Sequence, residues 1–252
     1  MKKSIGIVFC LLTALVMSRS AAASPITLDC SAGCNMELFG GAYWSTASIQ
    51  PSGTGVFKPF VRLQANGNAT NEDGHNTDGV LSNDEKAGIW THSVKTADLY
   101  DVLINGQAYY EFMLDIGEPA TTNKSKLSID EIQVCTGDSG SLTALNGCPT
   151  APTTFDLDAG QDRAVILDYG LFGGGNGNSD LFMYLPASSL LNAKPYFYLY
   201  SAMGYQNGAT AAGSFEEWAF RDSTGVPDGG LTIALLGMSL AGMGLVARRL
   251  TK

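Results

Sequence analysis

Along most of this chain apolar and polar residues alternate in short runs, too brief and too nearly two-periodic for helices. Such runs cover residues 56–63, 89–94, 109–116, 126–134, 164–169, 181–185, 196–200 and 215–220, and each predicts a strand. Pro59 inside the first of them marks an edge or a bulge, because proline cannot donate to a ladder. Asn105-Gly106, set between 101–104 and 108–114, predicts a tight hairpin. Stretches rich in Gly, Asn, Asp and Ser, chiefly 65–79 and 170–180, read as loops. Helical spacing is confined to 96–99 and 187–191, one turn each. Many short strands joined by polar turns predict an all-β protein, a single β-sandwich of jelly-roll type over residues 24–222.

Two apolar runs break that pattern, one at each end. The first covers residues 5–17, follows Lys2 and Lys3, and precedes Ala21, Ala22 and Ala23. It reads as a secretory signal peptide over 1–23, removed by signal peptidase after Ala23. The second, 231–247, holds no charge and spans about 25 Å as a helix, enough for a short transmembrane helix. Residues 223–230 form the linker to it. Arg248, Arg249 and Lys252 in the 248–252 tail belong on the cytoplasmic side, which leaves the body outside.

Charge sharpens the contrast between body and ends. The chain of 252 residues carries a formal charge of −9, and residues 24–225 hold 23 acidic against 9 basic side chains. So acidic a body has no means of replacing counterions around phosphates, and nucleic acid is excluded as a partner. Thirty glycines without a three-residue period exclude collagen, and 45% hydrophobic residues exclude a disordered chain. Beyond Cys10 in the leader there are four cysteines, Cys30, Cys34, Cys135 and Cys148. An even number in an exported chain points to disulfides. Three connectivities exist, of which Cys30–Cys34 with Cys135–Cys148 is favoured by proximity. A zinc site is disfavoured by the spacing and by the lack of a nearby histidine.

Candidate chemistry is sparse. Gly137-Asp138-Ser139-Gly140 copies a serine-protease context, but His75 and His92 lie in no matching surroundings, and the stretch reads as a turn. Glu111 and Asp115 share one face of a predicted strand, and with Asp168 they are the acids a glycosidase would use. The solvated face of a sheet gives the same pattern. Asp156, Asp158 and Asp162 alternate around Gly160 and form a candidate calcium loop, with a solvated turn the favoured reading here and in the loop that follows. Residues 66–78, with Asn71, Glu72, Asp73, Asn76 and Asp78, form a second oxygen-rich loop. Tyr196, Tyr198 and Tyr200 point one way if their segment is a strand, and a flat aromatic row stacks on sugar rings. Core packing is the favoured explanation for this row, as it is for Trp44, Trp90 and Trp218.

The C-terminal pentapeptide Val226-Pro227-Asp228-Gly229-Gly230, the Leu/Gly/Ala-rich segment after it and the pair Arg248-Arg249 resemble the PEP-CTERM/VPDSG-type sorting tail of exosortase substrates. The family often has Asp-Ser-Gly where this chain has Asp228-Gly229-Gly230. The body is similar to exported proteins of unknown activity that carry the same tail. The residues in common are Pro59 to Gln64, Asn76 to Gly79, Trp90 to Ser93, Glu111 to Ile116, Asp156 to Gly160 and Phe215 to Trp218. The resemblance implies a Gram-negative protein exported across the inner membrane, recognised by an exosortase near the motif, and placed in the envelope, at the cell surface or outside the cell among biofilm polysaccharide. Taken together, these features predict a structural or adhesive, non-enzymatic matrix protein that contacts extracellular polysaccharide. No cofactor is required, and calcium is the one candidate. The alternatives are a glycoside hydrolase using body carboxylates and a partner-binding subunit of a secretion or adhesion apparatus.

Overall fold

The structure, a computed structural model, describes residues 24–47, 57–120, 124–172 and 179–221. The signal peptide, the sorting motif from Val226 to Gly230, the 231–247 segment and Arg248-Arg249 lie outside these residues. Within them no helix is long and apolar enough to cross a membrane.

The described residues form an all-β architecture of two seven-stranded sheets, with strands numbered in chain order. The first sheet runs β1 (Ile26–Asp29), β11 (Arg163–Asp168), β9 (Lys126–Gly137), β13 (Tyr196–Met203), β5 (Glu72–His75). In it β10 (Phe155–Asp156) also pairs with β9, and β6 (Val94–Lys95) with β13. The second runs β2 (Glu37–Phe39), β3 (Ala42–Ser45), β12 (Leu181–Pro186), β8 (Gln107–Asp115), β14 (Glu216–Phe220), β4 (Pro59–Leu63), with β7 (Asp101–Ile104) also on β8. All pairings are antiparallel except β1 with β11.

Local chemistry explains several of these elements. Asn105 and Gly106 have φ of 51° and 80°, and Ile104 pairs with Gln107, so the hairpin turn is of the type that needs two left-handed residues. Pro59 falls in β4, at the end of its sheet, opposite the register shift between Trp218 and Ala219. In β9 a bulge at Asp130 resets the alternation, so that Leu127 and Ile129, then Ile132 and Val134, all reach the core. Single 3-10 turns at Thr96–Asp98 and Ala187–Leu190 are the only helical pieces near the two predicted turns.

The sheets share one core. Phe112 of β8 stacks on Phe197 of β13 at 5.2 Å, and Phe60 of β4 meets both edge-on at 6.3 and 6.2 Å. Each such pair adds about 0.5–1.5 kcal/mol beyond the area it buries. Trp44 and Trp218 are fully buried beside them.

Three expectations need correction. Only Val94 of the 89–94 run is in a strand; Ile89 and Trp90 are exposed on a turn. The expected loop 65–79 contains β5, a buried strand paired with β13. The short strands β1, β2 and β3 lie ahead of the first predicted one.

The disulfides are Cys30–Cys34 and Cys135–Cys148. The second ties the end of β9 to the 138–154 connection, whose Ser139 and Leu142 bond the Tyr198 hydroxyl. Replacing Cys135 and Cys148 by serine should lower unfolding stability by about 3 kcal/mol, and the Cys30/Cys34 pair by about 2 kcal/mol, in denaturant titrations. Equal losses from the two pairs would contradict loop closure as the cause.

Candidate functional site

The outer face of the second sheet brings aromatic and ionisable side chains together. Register fixes it, because directly opposed residues in an antiparallel ladder share a face. Tyr43, Tyr184 and Glu111 form one cross-strand row, and Phe182 with Met113 a second. Asp115, Glu217 and Arg62 form a third. Tyr109, Phe182 and Tyr184 make an apolar cluster separate from the inter-sheet core, with Tyr43 and Met113 packed against it. Tyr43 meets Tyr109 edge-on at 5.5 Å, and Phe182 stacks on Tyr184 at 6.3 Å.

The ionisable groups in these rows are engaged. Arg221 stands 3.7 Å from the Glu111 carboxylate and over the exposed Tyr100 ring at 6.0 Å. Burial raises Glu111 above the usual carboxyl range, against the pull of Arg221 and a hydrogen bond with Tyr184. Burial and the nearby Glu111 charge likewise raise the Tyr184 phenol. Asp180, just before β12, accepts from the Ile116 N–H at 2.9 Å. Burial, then repulsion from Asp115, push its carboxyl up to about 8. At the sheet edge the Arg62 guanidinium lies between Trp90 at 3.8 Å and Phe215 at 4.6 Å and pairs with Glu217. Trp90 is 37% exposed, so it shields a cation and is no core residue.

The predicted tyrosine row does not form a platform. Tyr198 and Tyr200 are buried: the first donates to Ser139 O and accepts from Leu142 N–H, the second donates to Asp73 at 3.1 Å. Only Tyr196 is partly exposed. β13 is thus buried on both faces, with Phe197 and Leu199 in the inter-sheet core.

The predicted calcium loop is built around an arginine. Asp156 accepts from Asp158 N–H at 2.8 Å and Asp158 from Arg163 N–H at 2.9 Å. The carbonyls of Leu157, Ala159 and Gln161 all accept from Arg163 Nη1 at 2.7–3.3 Å. The guanidinium is held by three backbone carbonyls of the loop, and none of the three carboxylates is among its hydrogen-bond partners. Nor does 66–78 converge: Glu72 is buried, Asp73 meets Tyr200, and Asp78 accepts from Ser93 at 2.7 and 2.8 Å. Among the described residues no three His, Cys, Asp or Glu side chains are placed to hold a metal ion.

Ser139 Oγ bonds Ser141 Oγ at 3.0 Å. His75 is fully buried beside Glu85 and the Tyr198 ring, and His92 Nδ1 lies 2.8 Å from Ser93 O. Asp168 caps the turn after β11 by accepting from Gly170 N–H. Compared with protein-family models, curated proteins and solved structures, the chain matches none.

Replacing Arg62 by alanine should cost about 2–3 kcal/mol, since it removes both cation–π contacts and leaves the buried Glu217 charge unpaired. Trp90 is the one tryptophan that is not fully buried, so its emission should shift red in the folded state. Unchanged emission would contradict the shielding role.

Proposed function

We propose that the chain is an exported binding protein of the cell envelope or extracellular matrix that takes carbohydrate on the outer face of the second sheet and performs no catalysis. The observation that carries this reading is the accessible rim of that face, where half-buried Tyr43 and exposed Tyr100 and Trp90 stand beside the Glu111–Arg221 and Arg62–Glu217 pairs, and Tyr43 packs on the buried Tyr109 and Tyr184. A sugar ring presents C–H faces that stack on aromatic planes and hydroxyls that need fixed donors and acceptors. Aromatic walls with a few placed polar groups meet both needs. The carboxyl groups of this face are held by arginine, tyrosine or another acid, which favours binding over hydrolysis. A glycosidase needs one acid free to protonate and another free to attack or to activate water.

Export is supported by the two disulfides, which persist in oxidising compartments. In this reading signal peptidase removes residues 1–23, the 231–247 helix holds the chain in the membrane, and an exosortase acts at Val226 to Gly230. The body is a jelly-roll-like sandwich. Support for that comes from β11 to β14, where consecutive strands alternate between the two sheets. In this reading the contact does not require calcium, since the Arg163 guanidinium already occupies three backbone carbonyls of the Asp156–Asp162 loop.

The test is co-sedimentation of the purified chain with the producing cell's own extracellular polysaccharide, with calcium and with a chelator. Pelleting should persist in chelator and weaken about tenfold in Tyr43→Ala. Absence of pelleting, or release of soluble sugar from the polysaccharide, would overturn the proposal.

A further inference from the structure

Away from that face, where β5 closes one side of the first sheet and β14 lies next to β4 in the second, three glutamates face one another. Glu72 comes from β5, Glu118 from the segment after β8, and Glu216 from β14. They are 1%, 2% and 1% exposed. Neither Glu72 oxygen, nor Glu216 Oε1, has a hydrogen-bond donor. Glu118 is anchored, its two oxygens accepting from Ala212 N–H at 3.0 and 3.1 Å. The backbones behind it are in close contact: a Cβ on Gly117 would stand 2.6 Å from Phe215 O, and one on Gly213 2.7 Å from Glu118 Cα.

No cation balances this cluster among the described residues. None of the pairs Arg62–Glu217, His75–Glu85, Lys194–Asp138 and Arg221–Glu111 includes Glu72, Glu118 or Glu216. The charged groups acting on the three are one another and Asp84, all acidic. A buried carboxylate without donor or counter-ion is strongly disfavoured, and retaining its proton removes the charge. The retained proton also supplies the donor that the neighbouring oxygen lacks. Burial pushes Glu72 up to about 7 and, joined by repulsion from Glu216, pushes Glu118 up to about 8. Burial and the Glu72 charge raise Glu216 well above the carboxyl range.

We propose that Glu72, Glu118 and Glu216 form a proton-held latch between the two sheets. Protonated, they hydrogen-bond across the joint; ionised, they repel and loosen β5 from the 212–216 segment. The sign follows from values raised above those of the unfolded chain. The stabilisation is complete below the unfolded carboxyl range and is lost as pH rises through about 7 to 8 and beyond. An exported chain meets external pH directly, so the joint would be firm in acidic surroundings and loose in alkaline ones.

The test uses the full chain, with thermal melts and amide exchange read by mass spectrometry at about pH 6 and about pH 9. The melting temperature should fall by on the order of 10 °C between these values. Protection should drop at 70–75 and 212–218 while β9 keeps its own. Glu216→Gln should remove about half of the fall, and Glu72→Gln with Glu216→Gln most of it. Glu118→Gln leaves the Glu72–Glu216 pair intact and serves if the other variants do not fold; it should remove a smaller share. The same fall in every variant, or an even loss of protection over both sheets, would overturn the latch. So would restoration of the native chain, but not of the Glu72/Glu216 variant, by millimolar calcium at high pH, since the carboxylates would then hold a cation.

Discussion

Everything else in this molecule depends on the contact of three phenylalanines between the sheets. Phe112 of β8 and Phe197 of β13 stack across the interface, and Phe60 of β4 closes the group edge-on. Strands this short bury little apolar area one at a time, and a lone sheet would leave one apolar face in water. Packing the two faces together buries Trp44, Trp218 and the aliphatic chains around the rings in one step. The disulfides act at the margins of that core, one fixing the entry to β2 and the other the exit from β9.

With the interior filled, the chemistry is forced outward and to the sides. The outer face of the second sheet is unusual in burying aromatic rings, Phe182 and Tyr184, where antiparallel sheets commonly present polar residues to solvent. β13 is also covered on its far side, by the loop that the Cys135–Cys148 bridge closes. Acids drawn into these covered places are met in two ways: arginine pairs with Glu111 and Glu217, and burial raises the carboxyls of Asp180, Glu72, Glu118 and Glu216. These devices reconcile a strongly acidic body with buried carboxyls.

Much of the fold was legible because it rests on local rules. Asn105-Gly106 specified its turn, Pro59 its sheet edge, and cysteine proximity the bridges. What escaped depends on distant partners. Glu72-Asp73-Gly74-His75 looks like a loop, and it is a buried strand only because Tyr200, Glu85 and Glu216 lie around it. The Asp156–Asp162 loop was read for its acids while the arginine that fills it, Arg163, stood one residue further on. For the tyrosine row, period two says which side a residue faces, not whether something covers that side, so a sugar platform stays open beside the favoured core packing until the burial of Tyr198 and Tyr200 is seen. For the outer face of the second sheet a signal did exist. Tyr109, Glu111, Met113 and Asp115 alternate with Tyr110, Phe112 and Leu114, though their cross-strand partners Tyr43, Phe182 and Tyr184 follow only from register.

The claim that the two sheets stand or fall together through these rings is tested most directly by unfolding Phe197→Ala in denaturant, followed by far-UV circular dichroism and tryptophan emission. The account predicts a loss of about 3–5 kcal/mol in a single transition seen alike by both probes. A loss below about 1 kcal/mol, or separate transitions for the two probes, would contradict it.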